Sequence, residues 1–227
     1  MPETDYRQFR LNRLNSPEFR HIKLLLFWPG FGVLFLVLER FSANVRYHPV
    51  HCALDDMIPF CEWFLLPYLF WFVYLVGALV YTFFFDVPAF RRMMLFIIFT
   101  YTVTVIIYMV YPTCQNLRPP SFERDNLLTR IVSAFYHFDT NTNVCPSIHV
   151  IGSLASMFAL WDTKRFSSTA MRALNLFTAL MICISTVFMK QHSVIDVIAA
   201  LPLCAVGFLL FFRPTAPRRR PSERINV

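Results

Sequence analysis

Residues 190–197 read KQHSVIDV, and the reading of this octapeptide decides the fold. It lies between LFTALMICISTVFM (176–189) and IAALPLCAVGFLLFF (198–212). Extended to 170–189 and 194–212, the two flanks reach the roughly 20 residues that a helix needs to cross a bilayer. Lys190, His192 and Asp196 therefore mark a turn between two membrane spans. Ionisable residues in such a place are functional candidates by default.

Four further apolar runs extend the pattern, at 22–38, 58–85, 93–111 and 147–161. The chain is 56% hydrophobic with 26 Phe, and its mean hydropathy is +0.49. A soluble domain holds about 45–50% apolar residues. Lipid offers no partners to bare backbone groups, so the runs must be helices. The expectation is an all-α integral membrane protein with six transmembrane helices. The fourth run is short, and the second is long enough to tilt or to include an interfacial turn. The first lacks the small-residue cleavage pattern of a signal peptide.

Charge sets an expected orientation. Arg7, Arg10, Arg13, Arg20 and Lys23 precede the first run, and Arg91 and Arg92 sit in the second connection. Lys164, Arg165 and Arg172 sit in the fourth, and Arg213, Arg218, Arg219, Arg220 and Arg224 in the tail. Fifteen of the 21 Lys and Arg thus fall on one side. The positive-inside rule makes that side cytoplasmic and leaves both termini inside. Basic tails beside anionic lipid account for the net charge of +7 without a nucleic-acid partner. The expected organisation is a basic segment over 1–21, a membrane domain over 22–213 and a basic tail over 214–227. The six Cys show no metal spacing. Cys52, Cys61, Cys114 and Cys145 fall near one face and could pair, although isolated thiols are the simpler expectation.

Three polar stretches map to the opposite, outer face: PTCQNLRPP (112–120), NVCPSIHV (143–150) and KQHSVIDV. His192 and Asp196 are four apart, about 40° on a helix, so they share a face. A carboxylate on one imidazole nitrogen fixes the tautomer and leaves the other nitrogen a lone pair. That arrangement prepares a nucleophile, and equally it can simply stabilise a helix end. Pro146 suits a first helical residue with Cys145 as the cap. Ser147, Ile148 and His149 would then occupy a first turn whose free N–H groups suit an anion. Arg118 is a candidate phosphate ligand, and as a single residue it fits a loop cation near lipid headgroups as well. Lys190 has the same two readings. Together these residues form an inventory for phosphoryl transfer with no metal or cofactor.

RP at 118–119, PSIH at 146–149 and HSVID at 192–196 resemble the three signatures of the type 2 phosphatidic acid phosphatase superfamily, in the same order. The resemblance covers about 111–201. It implies that His192 attacks phosphorus, Asp196 orients it and His149 protonates the leaving oxygen. Arg118 and Ser147 would hold the phosphate oxygens. Three positions depart from the pattern. Tyr111 stands where the family has Lys, Ile148 where it has Gly, and Thr186 where it has Arg. Two usual phosphate cations are therefore absent, and Lys190 could replace one only if the chain breaks near 189–192. KQHSVID resembles the branch that includes inositol-phosphorylceramide synthases and bacterial members.

The expected function is a metal-independent hydrolase of a lipid phosphate or diphosphate, acting through a phosphohistidine at the outer face. The alternatives are a phosphotransferase that passes a phospho-headgroup to a lipid alcohol, and a non-enzymatic transporter or scaffold. The lack of eukaryotic sorting features points to a bacterial cell membrane. The segment 121–142, with Tyr136, His137 and Asp139, reads first as a surface helix and second as the wall of an acceptor pocket.

Overall fold

The computed structural model describes residues 4–40 and 45–213; the tail 214–227 lies outside them. A 3-10 turn at Arg20–Leu26 leads into α1 (Phe27–Arg40). Short α2 (Ala53–Met57) and a 3-10 turn at Glu62–Phe64 precede α3 (Leu65–Phe85). Then follow α4 (Val87–Val110), α5 (Leu127–Phe138), α6 (Ile148–Trp161), α7 (Thr169–Phe188) and α8 (Val194–Phe211). Two residue pairs, β1 (His48–Pro49) and β2 (Thr113–Cys114), form a parallel ladder.

Five helical segments are long and apolar enough to cross a membrane: Arg20–Arg40, Glu62–Phe85, Val87–Val110, Thr169–Phe188 and Val194–Phe211. The sixth run forms α6, which at 14 residues is shorter. At 1.5 Å per residue it is about 21 Å long, against roughly 30 Å of hydrocarbon. Its setting explains the shortfall. Helices α3, α4, α7 and α8 all pack on it, and none of its residues is exposed. The polar backbone that leads into it is covered by protein, with Asn143, Val144 and Ser147 all buried. Non-helical backbone is tolerated at membrane depth on that condition.

Gly152 and Gly207 allow the close packing. A Cβ on Gly152 would lie 2.9 Å from both Trp71 Nε1 and Tyr101 Oη. One on Gly207 would lie 2.8 Å from the Phe96 ring. The core around these contacts includes Met93, Phe96, Ile97, Ile151, Ala155, Ile182 and Ala200.

The basic connections gather at one end of this bundle. Arg92 pairs with Asp162, the Arg91 guanidinium donates to Pro17 O, and the Tyr6 hydroxyl donates to Phe83 O. At the other end the polar stretches interlock. Asn143 N donates to Thr113 O at 2.6 Å, and Thr113 Oγ1 accepts from Val144 N and Cys145 N. All six Cys are free thiols.

Candidate active site

The chain does break between α7 and α8, and its sequence explains how. Met189 caps α7, and Lys190 takes the left-handed conformation (φ 52°). Lys190 N then donates to Val187 O, and Gln191 N to Thr186 O. This is the Schellman arrangement, which more often has Gly at the left-handed position. His192 N also donates to Thr186 O, at 3.1 Å. Position 186, where the resembled family carries Arg, thus anchors the turn through its carbonyl.

Ser193 then caps α8, and the Asp196 carboxylate reaches back to Ser193 N at 2.9 Å. His192 therefore precedes the helix and does not share its face. It meets Asp196 because the capping box folds that carboxylate back over the turn. His192 Nδ1 lies 3.2 Å from Asp196 Oδ2. Since a carboxylate can only accept, Nδ1 carries the proton and Nε2 the lone pair.

His149 enters from α6. Here the expected cap is corrected: Ser147, not Cys145, is the N-cap, and its hydroxyl accepts from Val150 N. Serine serves because its oxygen reaches the third N–H of the helix. The helix starts at Ile148, two residues after Pro146. Ser147 N donates to Asp196 O at 3.1 Å, which ties α6 to α8. His149 Nδ1 then lies 3.3 Å from His192 Nε2. Tyr68 and Trp71, neighbours on one face of α3, flank the His149 ring at centroid distances of 4.8 and 4.5 Å. The result is a line of contacts, Asp196 to His192 to His149.

The two candidate cations are placed otherwise. The Arg118 guanidinium donates to the carbonyls of Tyr136, Asp139 and Thr140 and to Gln191 Oε1, and it stacks 4.5 Å from the Tyr136 ring. It closes the C-terminal end of α5, where orphan carbonyls need donors. Lys190 turns away from the imidazoles, and its ammonium donates to Asp55 O and Ile58 O. Burial holds this ammonium below the usual lysine range. The break that could have brought Lys190 to the site instead points it toward the loop that holds Asp55 and Ile58.

Residues that the sequence did not bring forward complete the surroundings. Asp55 is buried and accepts from Ser193 Oγ (2.6 Å), Val194 N (2.8 Å) and Cys52 N (2.8 Å). Burial pushes its carboxyl up, but those hydrogen bonds outweigh it and hold the carboxyl below its usual range. Gln115 Nε2 donates to Lys190 O, the Tyr136 hydroxyl to Met189 O, and Cys61 N to Phe188 O. Three separate segments at this end of the bundle thereby satisfy the backbone of the turn that carries His192. A signal for Asp55 was available in CALDDM, an acidic pair beside an apolar run.

A cavity of about 50 Å³ opens beside the imidazoles and is lined by Glu39, Tyr108, Asp139, Asn143, Gln191 and both His rings, among others. Glu39 accepts from Asn143 Nδ2 at 3.0 Å. Burial pushes the Asp139 carboxyl up, with Arg118 opposing. The same side chain that caps α5 thus stands behind the cavity wall. Of the segment 121–142, α5 is the surface helix: Leu127 and Phe138 are exposed, and Thr129 and Val132 face inward. Asp139, at its end, borders the cavity. Among the described residues no group of three or more His, Cys, Asp or Glu is placed to share a metal ion. Comparison with family models, curated proteins and solved structures finds no match to this chain.

Proposed function

We propose that the chain is a membrane phosphatase that cleaves a lipid phosphate or diphosphate through a phosphohistidine on His192, as its resemblance to the type 2 phosphatidic acid phosphatase superfamily implies. The observation that carries the reading is the Asp196–His192–His149 line, with contacts of 3.2 and 3.3 Å. Asp196 holds the Nδ1 proton, so the Nε2 lone pair is the group able to attack phosphorus. As the N–P bond forms, the bond from phosphorus to the leaving oxygen breaks. His149 supplies the proton that oxygen takes up. Water then attacks the phosphohistidine, and His149 receives its proton.

A phosphoryl group between the rings needs about 3 Å on the nucleophile side and room for the leaving oxygen beyond it. The ring nitrogens, 3.3 Å apart, must therefore part by roughly 4 Å when substrate binds. The N–H groups of the first turn of α6 and the Ser147 hydroxyl are the donors nearest His149 in the chain. The site lies at the end of the bundle opposite Arg91, Arg92 and Asp162. By the positive-inside rule it faces away from the cytoplasm, where a lipid headgroup meets it.

The test is phosphate release from phosphatidic acid, or from a polyprenyl diphosphate, by the purified protein in the presence of chelator. His192→Ala should abolish release together with an acid-labile phosphoenzyme. Equal release by this variant would overturn the nucleophile. Assaying free phosphate alongside new phospholipid separates hydrolysis from transfer to an alcohol.

A further inference from the structure

We propose that Gln191 is a catalytic hydrogen-bond donor to the phosphoryl oxygens, and that Arg118 serves the site through it. The inference rests on the phosphoryl-transfer reading above and adds a residue that the resembled signatures do not contain.

Gln191 is 97% buried, being 3% exposed, and lines the cavity with His149 and His192. Its Oε1 accepts from Arg118 Nη2 at 2.5 Å. A guanidinium has only donors, so the amide oxygen must face Arg118 and the amide nitrogen must face away. That nitrogen carries two N–H groups and is buried without a hydrogen-bond partner. Buried donors are normally satisfied, and an exception calls for a ligand or water. Here the unsatisfied donor belongs to the residue next to the nucleophile.

The backbone makes the placement rigid. Gln191 N and His192 N both donate to Thr186 O, so amide and imidazole rise from one fixed turn. Arg118 is held by three carbonyls besides Gln191. Its charge on Oε1 polarises the amide and strengthens the opposite N–H groups as donors. Charge on the phosphoryl oxygens is spread differently in the transition state, and a fixed donor aimed at them lowers the barrier without moving. Gln191 forms and breaks no covalent bond.

The experiment uses the full chain in detergent or nanodiscs, with Gln191→Glu and Gln191→Met. Glu keeps an acceptor toward Arg118 and loses the donors, while Met keeps the length and loses both. In whichever variant folds, kcat on phosphatidic acid should fall about 10²–10³-fold, as for loss of one oxyanion donor. KM should change much less, and inhibition by orthovanadate should weaken in step with kcat. A folded variant with wild-type kcat and vanadate inhibition overturns the proposal and leaves the phosphatase reading standing. If instead wild type and His192→Ala release phosphate equally, binding of inorganic phosphate followed by ³¹P NMR decides the role of Gln191. Loss of binding in Gln191→Met upholds it. Equal binding, or none by wild type, overturns it.

Discussion

Asp55 and Ser193, 138 positions apart, meet through a 2.6 Å hydrogen bond from the serine hydroxyl to the aspartate carboxylate. The same carboxylate accepts from Val194 N. The loop that carries Asp55 thereby holds the first turn of α8 and, with it, the residue just before, His192. Removing the carboxylate in Asp55→Ala leaves the buried Ser193 hydroxyl without its acceptor, at about 1–3 kcal/mol before relaxation, and frees the part-buried Cys52 N and Val194 N as well. Thermal unfolding in detergent should show a lower Tm, and kcat should drop about 10²-fold if His192 shifts by an ångström. A wild-type Tm would count against the clasp.

The same carboxylate should give stability a pH dependence. Its folded pKa lies below the ordinary value. Its contribution is therefore complete above the unfolded pKa, near about 3.9, and is lost as pH falls through the folded value. Between pH 6 and pH 3 the wild type should lose more stability than Asp55→Asn, with the difference appearing below about pH 4. Parallel curves would show that the charge on Asp55 contributes nothing.

Lys190 carries two opposed contributions. Its left-handed backbone costs roughly 1 kcal/mol, and its ammonium satisfies the carbonyls of Asp55 and Ile58. Lys190→Ala keeps the first and loses the second, while Lys190→Gly loses both. Denaturation midpoints should therefore rank wild type above Gly and Gly above Ala, the last two separated by about 1 kcal/mol. Competition by inorganic phosphate should be unchanged in these variants, because the ammonium does not face the imidazoles.

At Gly152 a methyl group would meet Trp71 Nε1 and Tyr101 Oη at 2.9 Å. Gly152→Ala should destabilise by about 1–3 kcal/mol through overpacking. Because Trp71 also flanks His149, kcat should fall while His192 keeps its partner Asp196. Indole fluorescence and activity measured on the same samples check both effects. Gly77, with nothing near its Cβ position, supplies the comparison, and Gly77→Ala should be neutral or mildly stabilising.

Arg118→Lys replaces a planar fork of five donors with a point charge. It cannot reach three carbonyls and Gln191 together. Amide exchange at 136–140 should quicken, and α5 should fray from its C-terminal end. Unchanged protection there would mean that the guanidinium does not hold the end of the helix.

The helices were legible because their signal is local. Five of the six apolar runs correspond to long helices, and the turn between 58 and 85 appears at Glu62–Phe64. His149, His192 and Asp196 stood out because each sits in a short pattern, although His192 meets Asp196 through the capping box of α8 and not through the shared helix face that their spacing suggests. Arg118 and Lys190 were not placed correctly by residue type, since a cation in a loop binds whichever acceptors folding brings. Nothing near position 118 says that the carbonyls of 136–140 will turn toward it, and nothing near 190 announces the carbonyls of 55 and 58. Asp55 has a local acidic signal, but two of its three partners, Ser193 and Val194, lie in the last third of the chain. The start of α6 was misjudged by two residues because Pro146 and Ser147 both signal a helix N-terminus, and the serine hydroxyl prevailed.

The enclosure of α6 has a mechanical consequence. A bilayer pushes on a protein through the surfaces that touch its acyl chains, and this helix, with no exposed residue, presents little. Thicker or thinner membranes can tilt its neighbours, yet the imidazole borne on α6 is referenced to protein alone. Catalytic rate in vesicles of graded chain length should accordingly vary far less than in a bundle whose working helix borders lipid.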